Sequence, residues 1–124
     1  MIYLWIFIGS GLGGILRYFS STTLQKLINP GFFPIGTFCV NMIGCLLIGF
    51  IAQLSEARAV FSPEIRIFLM VGILGGFTTF SSFGYETVEL IRSGEILLAL
   101  ANATGQLILG LIMVYIGYVL ARLI

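Results

Sequence analysis

Hydroxyl, amide and aromatic side chains recur at helical spacing within an otherwise apolar sequence. Thr79, Ser82 and Glu86 fall at positions i, i+3 and i+7, and Phe80 and Phe83 lie three residues apart on a neighbouring face. Hydroxyl groups are unfavourable against lipid, so they should face a protein interior or a pore. Neutral hydrogen-bond donors, together with the positive edges of aromatic rings, favour a small anion.

Two further polar stripes carry amides. Thr37 and Asn41 are four residues apart in one apolar stretch, and Asn102, Gln106 and Gly110 repeat that spacing in another. A side-chain amide within a membrane is costly unless it is paired. Such an amide either joins helices by hydrogen bonds or offers its N–H groups to a passing anion. Both interpretations remain open for both stripes.

A polar interruption divides the third apolar stretch. Gly75 and Gly76, followed by Thr78 and Thr79, lower the helix propensity there. If the backbone unwinds, its carbonyl groups need protein, water or an ion as partners. Unwound carbonyls in membrane proteins commonly bind Na⁺. The alternative is an intact helix in which glycine and threonine serve close packing.

The composition indicates which kind of structure holds these residues in place. The chain has 124 residues, of which 59% are hydrophobic and 9% charged, whereas soluble domains are about 25% charged. A spanning helix needs about 20 apolar residues. We therefore predict an all-α integral membrane protein, a single domain over residues 1–124, with four transmembrane helices at about 2–24, 34–54, 63–91 and 95–120.

Local signals mark the ends of these helices. Pro34 suits the first turn of the second helix, and Ser62, Pro63 and Glu64 are typical of an N-cap, a first helical residue and an acidic first turn. The segments 29–31 (NPG) and 92–94 (RSG) predict turns.

Small residues within the spans predict helix packing. Gly9 and Gly13 form a GxxxG pair, which lets helix backbones approach closely in lipid. Cys39 and Cys45 lie six residues apart in one predicted helix, so they point to different faces and are interpreted as small packing residues.

The charged residues exclude several classes of function. Net charge is +1 and no basic stripe is present, so nucleic-acid binding is not expected. The chain has no His and no Asp, and no nucleophile–base pair at recognisable spacing, so an enzyme is not expected. Glu89 and Arg92 are typical of an interfacial pair at a helix end. Glu86 and Arg17 are placed where both could lie within the membrane; Arg17 either extends to the surface or marks where an anion enters.

The distribution of positive charge is nearly even across the predicted membrane. One side holds Arg58, Arg66 and Arg122, and the other holds Lys26 and Arg92, with Arg17 if it reaches that interface. The positive-inside rule then gives almost no preferred orientation. Such a chain could insert both ways, and two opposed copies could pair about an axis in the membrane plane.

Three motifs make the sequence similar to the Fluc (CrcB) family of fluoride channels over nearly its whole length. They are residues 13–18 (GGILRY), 36–41 (GTFCVN) and 75–86 (GGFTTFSSFGYE), and the last is long and specific. The resemblance implies a passive channel that exports fluoride and lowers its toxicity, in a bacterial plasma (inner) membrane. It also implies an antiparallel, dual-topology dimer of two copies with a broken third helix and two fluoride pathways.

The resemblance further assigns roles to single residues. Phe80 and Phe83 match the pore phenylalanines and Asn41 the pore amide donor. A central structural Na⁺ would be held by the backbone carbonyls of Gly75 and Thr78 from each subunit. Thr37, Thr79 and Ser82 match positions with polar roles near the pathway, and Arg17 and Glu86 match further family positions.

One departure concerns the fourth helix. Family members often carry a pore-lining serine where this sequence has Gly110 or nearby apolar residues. Gln106 is the residue expected to substitute as a donor. Because Phe80 and Phe83 are both present, the resemblance favours a homodimer over a pair of different chains.

Two other functions compete with the fluoride channel. A small multidrug-type exporter is also a four-helix antiparallel dimer, but it needs a buried carboxylate in the first helix, and residues 2–24 contain no Asp or Glu. A non-transporting assembly subunit would explain the GxxxG packing but not the polar interruption. A fluoride channel is therefore the leading prediction.

Overall fold

The computed structural model describes residues 1–28 and 31–124, and this part of the chain is helical, with short connections. Four stretches are long and apolar enough to cross a membrane, the third of them in several pieces. The protein is thus a multi-pass membrane protein. Its helices are α1 (Ile2–Ile28), α2 (Ile35–Arg58), α3 (Pro63–Ile67), α4 (Leu74–Phe77), α5 (Phe80–Arg92) and α6 (Ile96–Arg122), with a π-helical turn at Phe68–Ile73 between α3 and α4.

The local signals predict the start of α3 correctly but not that of α2, and α1 and α2 extend beyond their predicted ends at residues 24 and 54. Ser62 caps α3 through its hydroxyl, which accepts from the Ile65 N–H at 3.3 Å, and Pro63 is the first helical residue, as predicted. Pro34 was placed wrongly in the first turn: its ψ of 65° keeps it outside α2 as the flanking residue. Gly31 has a positive φ of 70°, while the remainder of that predicted turn, Asn29 and Pro30, lies outside the described residues.

The third span changes its winding along its length. In the π-helical turn the N–H of Leu74 donates to the carbonyl of Leu69, five residues back. After Phe77 the backbone becomes extended at Thr78, with ψ of 158°, and at Thr79, with ψ of 117°. Helical structure resumes at Phe80. Thr79 caps α5 because its hydroxyl accepts from the Ser82 N–H at 3.2 Å.

Glycines bring α1 and the first half of the third span into backbone contact. Gly9 and Gly13 are buried, and a Cβ added at Gly9 would come within 2.8 Å of the Gly72 Cα. A Cβ at Gly76 would likewise overlap the backbone of Ser10. The GxxxG prediction is therefore confirmed, and its partner is a second pair with the same spacing in the third span.

The other large helix contact joins α2 and α6. Gly49 of α2 lies against the backbone of Val114, and Gly117 of α6 against that of Leu46. Such close approach is how helices pack in lipid, where apolar side chains have no preference for one another over the bilayer. The helix α5, which follows the extended residues, packs mainly against α6 and makes a smaller contact with α2.

Candidate functional site

A groove of about 430 Å³ lies beside the extended residues of the third span, open to the outside of the chain. It is bounded by α2, α6 and the two halves of the third span. Its lining is mainly apolar, with Met70, Leu74, Leu107 and Leu111 among the aliphatic members. Seven of the residues predicted to form the site also line it: Asn41, Gly75, Thr78, Thr79, Phe80, Phe83 and Gln106.

Asn41 pairs with the extended backbone by two hydrogen bonds. Its Oδ1 accepts from the Thr79 N–H at 2.9 Å, and its Nδ2 donates to the Thr79 carbonyl at 3.1 Å. The same Nδ2 donates to Oε1 of Gln106 at 2.7 Å. Both hydrogens of the Asn41 amide are thus directed to protein oxygens. Of the two interpretations left open for this residue, the geometry displays the interhelical bond.

Gln106 has a hydrogen to spare at the groove. In the described structure its Nε2 has one acceptor, Oδ1 of Asn102 at 3.0 Å. An amide nitrogen carries two hydrogens, so one remains available beside the groove. Its side chain is 9% exposed and lines the groove.

The two phenylalanines stand together at the start of α5. The ring centroids of Phe80 and Phe83 are 5.5 Å apart, and the ring planes are inclined by 49°. Phe80 is 84% exposed on the single chain, whereas Phe83 is half-buried. Behind them the hydroxyl of Thr79 donates to that of Ser82 at 3.0 Å. Phe80, Phe83 and Thr79 therefore line the groove together, with Ser82 behind Thr79.

The carbonyl group of Gly75 loses its helical partner at the extended residues. In a continuous helix the Thr79 N–H would donate to Gly75, four residues back, but here it donates to Asn41. Thr78 follows with extended backbone, so its carbonyl also leaves the helical direction. Unengaged carbonyl oxygens are neutral, hard donors of the kind that a Na⁺ site uses. Within residues 1–28 and 31–124, no group of three or more His, Cys, Asp or Glu side chains is placed to hold a metal ion.

Four residues predicted for the site lie outside the groove lining in this part of the chain. Thr37 donates through its hydroxyl to Oε1 of Glu86 at 2.7 Å, which joins α2 to α5. The other carboxylate oxygen of Glu86 and the Nε of Arg17 are buried without a hydrogen-bond partner among the described residues. Ser82 reaches the groove only through Thr79.

Sequence reasoning missed two contributors to this site. A Cβ on Gly44 would overlap the methyl group of Thr78, so the missing side chain makes room for the extended residue. Thr87 accepts from Nδ2 of Asn102 at 2.9 Å through its hydroxyl. Neither has a local signal, since each matters only through a residue distant in the sequence.

Comparison with known proteins gives a consistent result. Residues 4–118 match the family described as "CrcB-like protein, Camphor Resistance (CrcB)". A protein of Helicobacter pylori (strain J99), named fluoride-specific ion channel FluC, is 43% identical over 123 residues, covering 98% of this chain and 94% of its own length. Proteins with the same name from Helicobacter acinonychis and Maridesulfovibrio salexigens are also 43% identical, each covering 98% of this chain and 96% of the relative. The chain belongs to the CrcB family.

Proposed function

We propose that this protein is a passive channel that exports fluoride from the cytoplasm. The observation that carries the proposal is the groove itself, in which a buried amide, a threonine pair and two phenylalanines converge on an extended segment of a membrane-spanning helix. Its neutral donors suit an anion, and no carboxylate lies among the residues that line it. The relatives named fluoride-specific ion channel FluC identify the anion.

Fluoride passes along this groove by exchanging water for protein donors. The ion is small and strongly hydrated, so closely spaced donors must replace its water. Gln106 offers its free N–H, and Ser82 offers its hydroxyl hydrogen, because the Thr79 hydroxyl donates to Ser82. The edges of Phe80 and Phe83 offer positive quadrupole. Asn41 and Thr37 contribute by holding their partners in place. A larger anion such as chloride would fit poorly in a narrow file of such donors.

The working unit is a dimer of two copies in antiparallel orientation, with two fluoride pathways. Two features of the single chain support this arrangement. Phe80 is 84% exposed beside an open groove with polar groups in its wall, and polar groups in contact with lipid are unfavourable. The nearly even distribution of positive charge also permits both insertions. A second copy would cover the groove.

In such a dimer the backbone carbonyls of Gly75 and Thr78 from each copy would hold a structural Na⁺. The loss of the Thr79 donor to Gly75 supports this assignment, because that oxygen needs another partner. When bound there, the ion would supply positive charge next to the two extended segments, which favours a nearby anion. The membrane is the bacterial plasma (inner) membrane, where fluoride that has entered as HF ionises in the neutral cytoplasm and then leaves through the channel.

Anion efflux from liposomes tests the function directly. Purified protein is reconstituted, and fluoride and chloride electrodes follow both anions in parallel. We expect rapid loss of fluoride with negligible loss of chloride. If vesicles that contain folded protein release neither anion, the channel proposal fails and a non-transporting assembly subunit becomes the leading interpretation.

Topology needs its own experiment. A single cysteine introduced at Ile124, in a background with Cys39 and Cys45 replaced by serine, is labelled in intact cells with an impermeant maleimide. Dual insertion predicts that about half of the protein is labelled from outside. Labelling of all or of none of the protein would contradict the antiparallel dimer but leave the efflux result unaffected.

A further inference from the structure

We infer that three buried amides, Asn41, Gln106 and Asn102, and the half-buried Thr87 form a hydrogen-bonded series that positions α5 for fluoride conduction. The backbone from Thr79 to Phe83 closes this series into what we call the amide ring. Asn102 and Thr87 are therefore positioning residues of the pathway. This inference rests on the proposed function. Asn41 belongs to α2, Gln106 and Asn102 to α6, and Thr87 to α5. The first hydrogen bond of the series is from the Thr79 N–H to Asn41. The last is from the Thr87 hydroxyl to the carbonyl of Phe83, at 2.7 Å.

The direction of every hydrogen bond in the ring is fixed by its first member. A backbone N–H can only donate, so the Thr79 N–H determines that Asn41 presents Oδ1 to it and Nδ2 to Gln106. Gln106 must then accept through Oε1 and donate through Nε2 to Asn102. Asn102 donates in turn to Thr87. One backbone group thus sets the orientation of three amides, whose assignment would otherwise be ambiguous.

Burial makes this order difficult to change. Asn102 is completely buried, and Asn41 and Gln106 are each 9% exposed. A buried amide left without a partner costs about 1–3 kcal/mol. Reversing one amide would place two donors or two acceptors against each other at both of its joints. The ring therefore exists as a unit, in one orientation.

The first and the last hydrogen bond of the series both involve α5 or its N-cap residue. Thr79 precedes the first residue of α5, and Thr87 donates to the carbonyl of Phe83 in its second turn. Simple adhesion between helices would need one such contact. Two contacts eight residues apart, joined through α2 and α6, fix both the position and the rotation of the turns that carry Phe80 and Phe83. They also determine which of the two Nε2 hydrogens of Gln106 remains free.

A matched pair of threonines separates this role from general packing. The hydroxyls of Thr87 and Thr104 each donate to their own helix at 2.7 Å, to Phe83 and Leu100 respectively. Only the Thr87 hydroxyl also accepts from Asn102. Thr87→Val and Thr104→Val therefore make the same chemical change, and only the first opens the ring. Thr87→Ser keeps the hydroxyl.

The experiment measures single-channel fluoride conductance in planar bilayers, with protein that elutes from a sizing column as wild type does. We expect Thr87→Val to lower the conductance about threefold or more, the rate equivalent of one average membrane hydrogen bond. Thr104→Val and Thr87→Ser should conduct as wild type. Asn102→Leu should lower conductance at least as much, and the double variant no further than Asn102→Leu alone, because residues of one unit are not additive.

Hydrogen exchange supplies a second readout. Opening the ring should speed exchange of the peptide that contains Thr79 and leave exchange of the peptide over Gly9–Gly13 unchanged. Asn102→Leu should show the same change, so the test remains possible if Thr87→Val yields too little protein for conductance. Equal conductance and equal exchange in Thr87→Val and Thr104→Val would overturn the inference. A wild-type protein that passes no fluoride would instead reject the proposed function.

Discussion

Two of the buried contacts of the third span differ in the groups that form them. Its first half lies against α1 mainly through glycines, where Gly13 meets the backbone of Ile73 and Phe77. Its second half is held by side-chain amides, where Asn41 binds the Thr79 backbone and Gln106 continues to Asn102. The first contact depends on glycines having no side chain, and the second on the direction of the hydrogen bonds that the amides form.

This difference separates support from function. A glycine contact offers no polar group to an ion, so it can only fix the distance between helices. The amide contact replaces the helical hydrogen bond that Gly75 loses and leaves a carbonyl and an N–H at the groove. Changes of size should therefore disrupt assembly at the first contact, while changes of chemistry should disrupt conduction at the second.

The largest effect is expected at the glycine contact. In Gly13→Ala the new methyl group overlaps the backbone of Ile73 and Phe77, which cannot move aside as a side chain would. We expect a loss of about 3 kcal/mol in stability or failure to assemble. Gly11→Ala is the matched control because nothing lies within 4 Å of its added Cβ. Thermal denaturation followed by sizing chromatography measures both, and equal melting would contradict the packing described.

Replacing Asn41 should separate conduction from assembly. Asn41→Leu removes three hydrogen bonds, to the Thr79 N–H, the Thr79 carbonyl and Gln106. At about 0.6 kcal/mol for each bond in a membrane, stability falls by about 2 kcal/mol. Fluoride efflux should fall at least tenfold, because Thr79 is no longer held. Gln53→Leu is the control on the same helix; wild-type efflux from Asn41→Leu would show that the amide is dispensable.

A smaller effect is expected from Gly44→Ala. Its methyl group overlaps the Thr78 side-chain methyl, which can rotate at some cost. We expect about 1 kcal/mol of destabilisation and a measurable decrease of efflux at unchanged chloride exclusion. Gly44→Ala combined with Thr78→Ser, which removes the overlapping methyl group, should recover both. Failure of that rescue would mean that Gly44 acts through another neighbour.

The smallest effect is expected at the exposed ion pair of α5. Arg92 donates to Glu89 at 2.7 Å, with side chains 73% and 41% exposed. Surface pairs at this spacing contribute less than about 0.5 kcal/mol. Arg92→Ala should therefore change melting by less than the spread between preparations, at low and at high salt. A large, salt-dependent loss would indicate that this end of α5 has a partner beyond Glu89.

Local signals in the sequence predicted what depends on neighbouring residues. Ser62 and Pro63 start α3 as expected, the spacing of Gly9 and Gly13 predicted a close helix contact, and the interfacial pair Glu89–Arg92 is present. The helix ends were less well predicted: α1 and α2 each extend four residues beyond their expected limits. Interfacial residues such as Lys26 and Arg58 suit both a last helical turn and a loop.

Pairings across long separations were beyond local patterns. The sequence indicated that Asn41 and Gln106 are polar members of apolar helices, yet they are 65 residues apart and their bond follows only from packing of α2 on α6. Thr87 gave no signal, since a threonine hydroxyl in a helix usually donates to the carbonyl four residues earlier, here that of Phe83. The same hydroxyl also accepts from Asn102. The three-dimensional fold was needed to show which amide hydrogen is left free.

Two exposed phenylalanines provide the most direct test that the groove is the fluoride pathway. Phe80 is 84% exposed and lines the groove, whereas Phe7 is 77% exposed on α1. Parallel fluoride and chloride efflux is measured for Phe80→Ile and Phe7→Ile in liposomes with equal amounts of folded protein. We predict that Phe80→Ile lowers fluoride efflux at least tenfold while Phe7→Ile matches wild type. Full fluoride efflux from Phe80→Ile would contradict the account, because fluoride would then pass without the ring that stands in its proposed path.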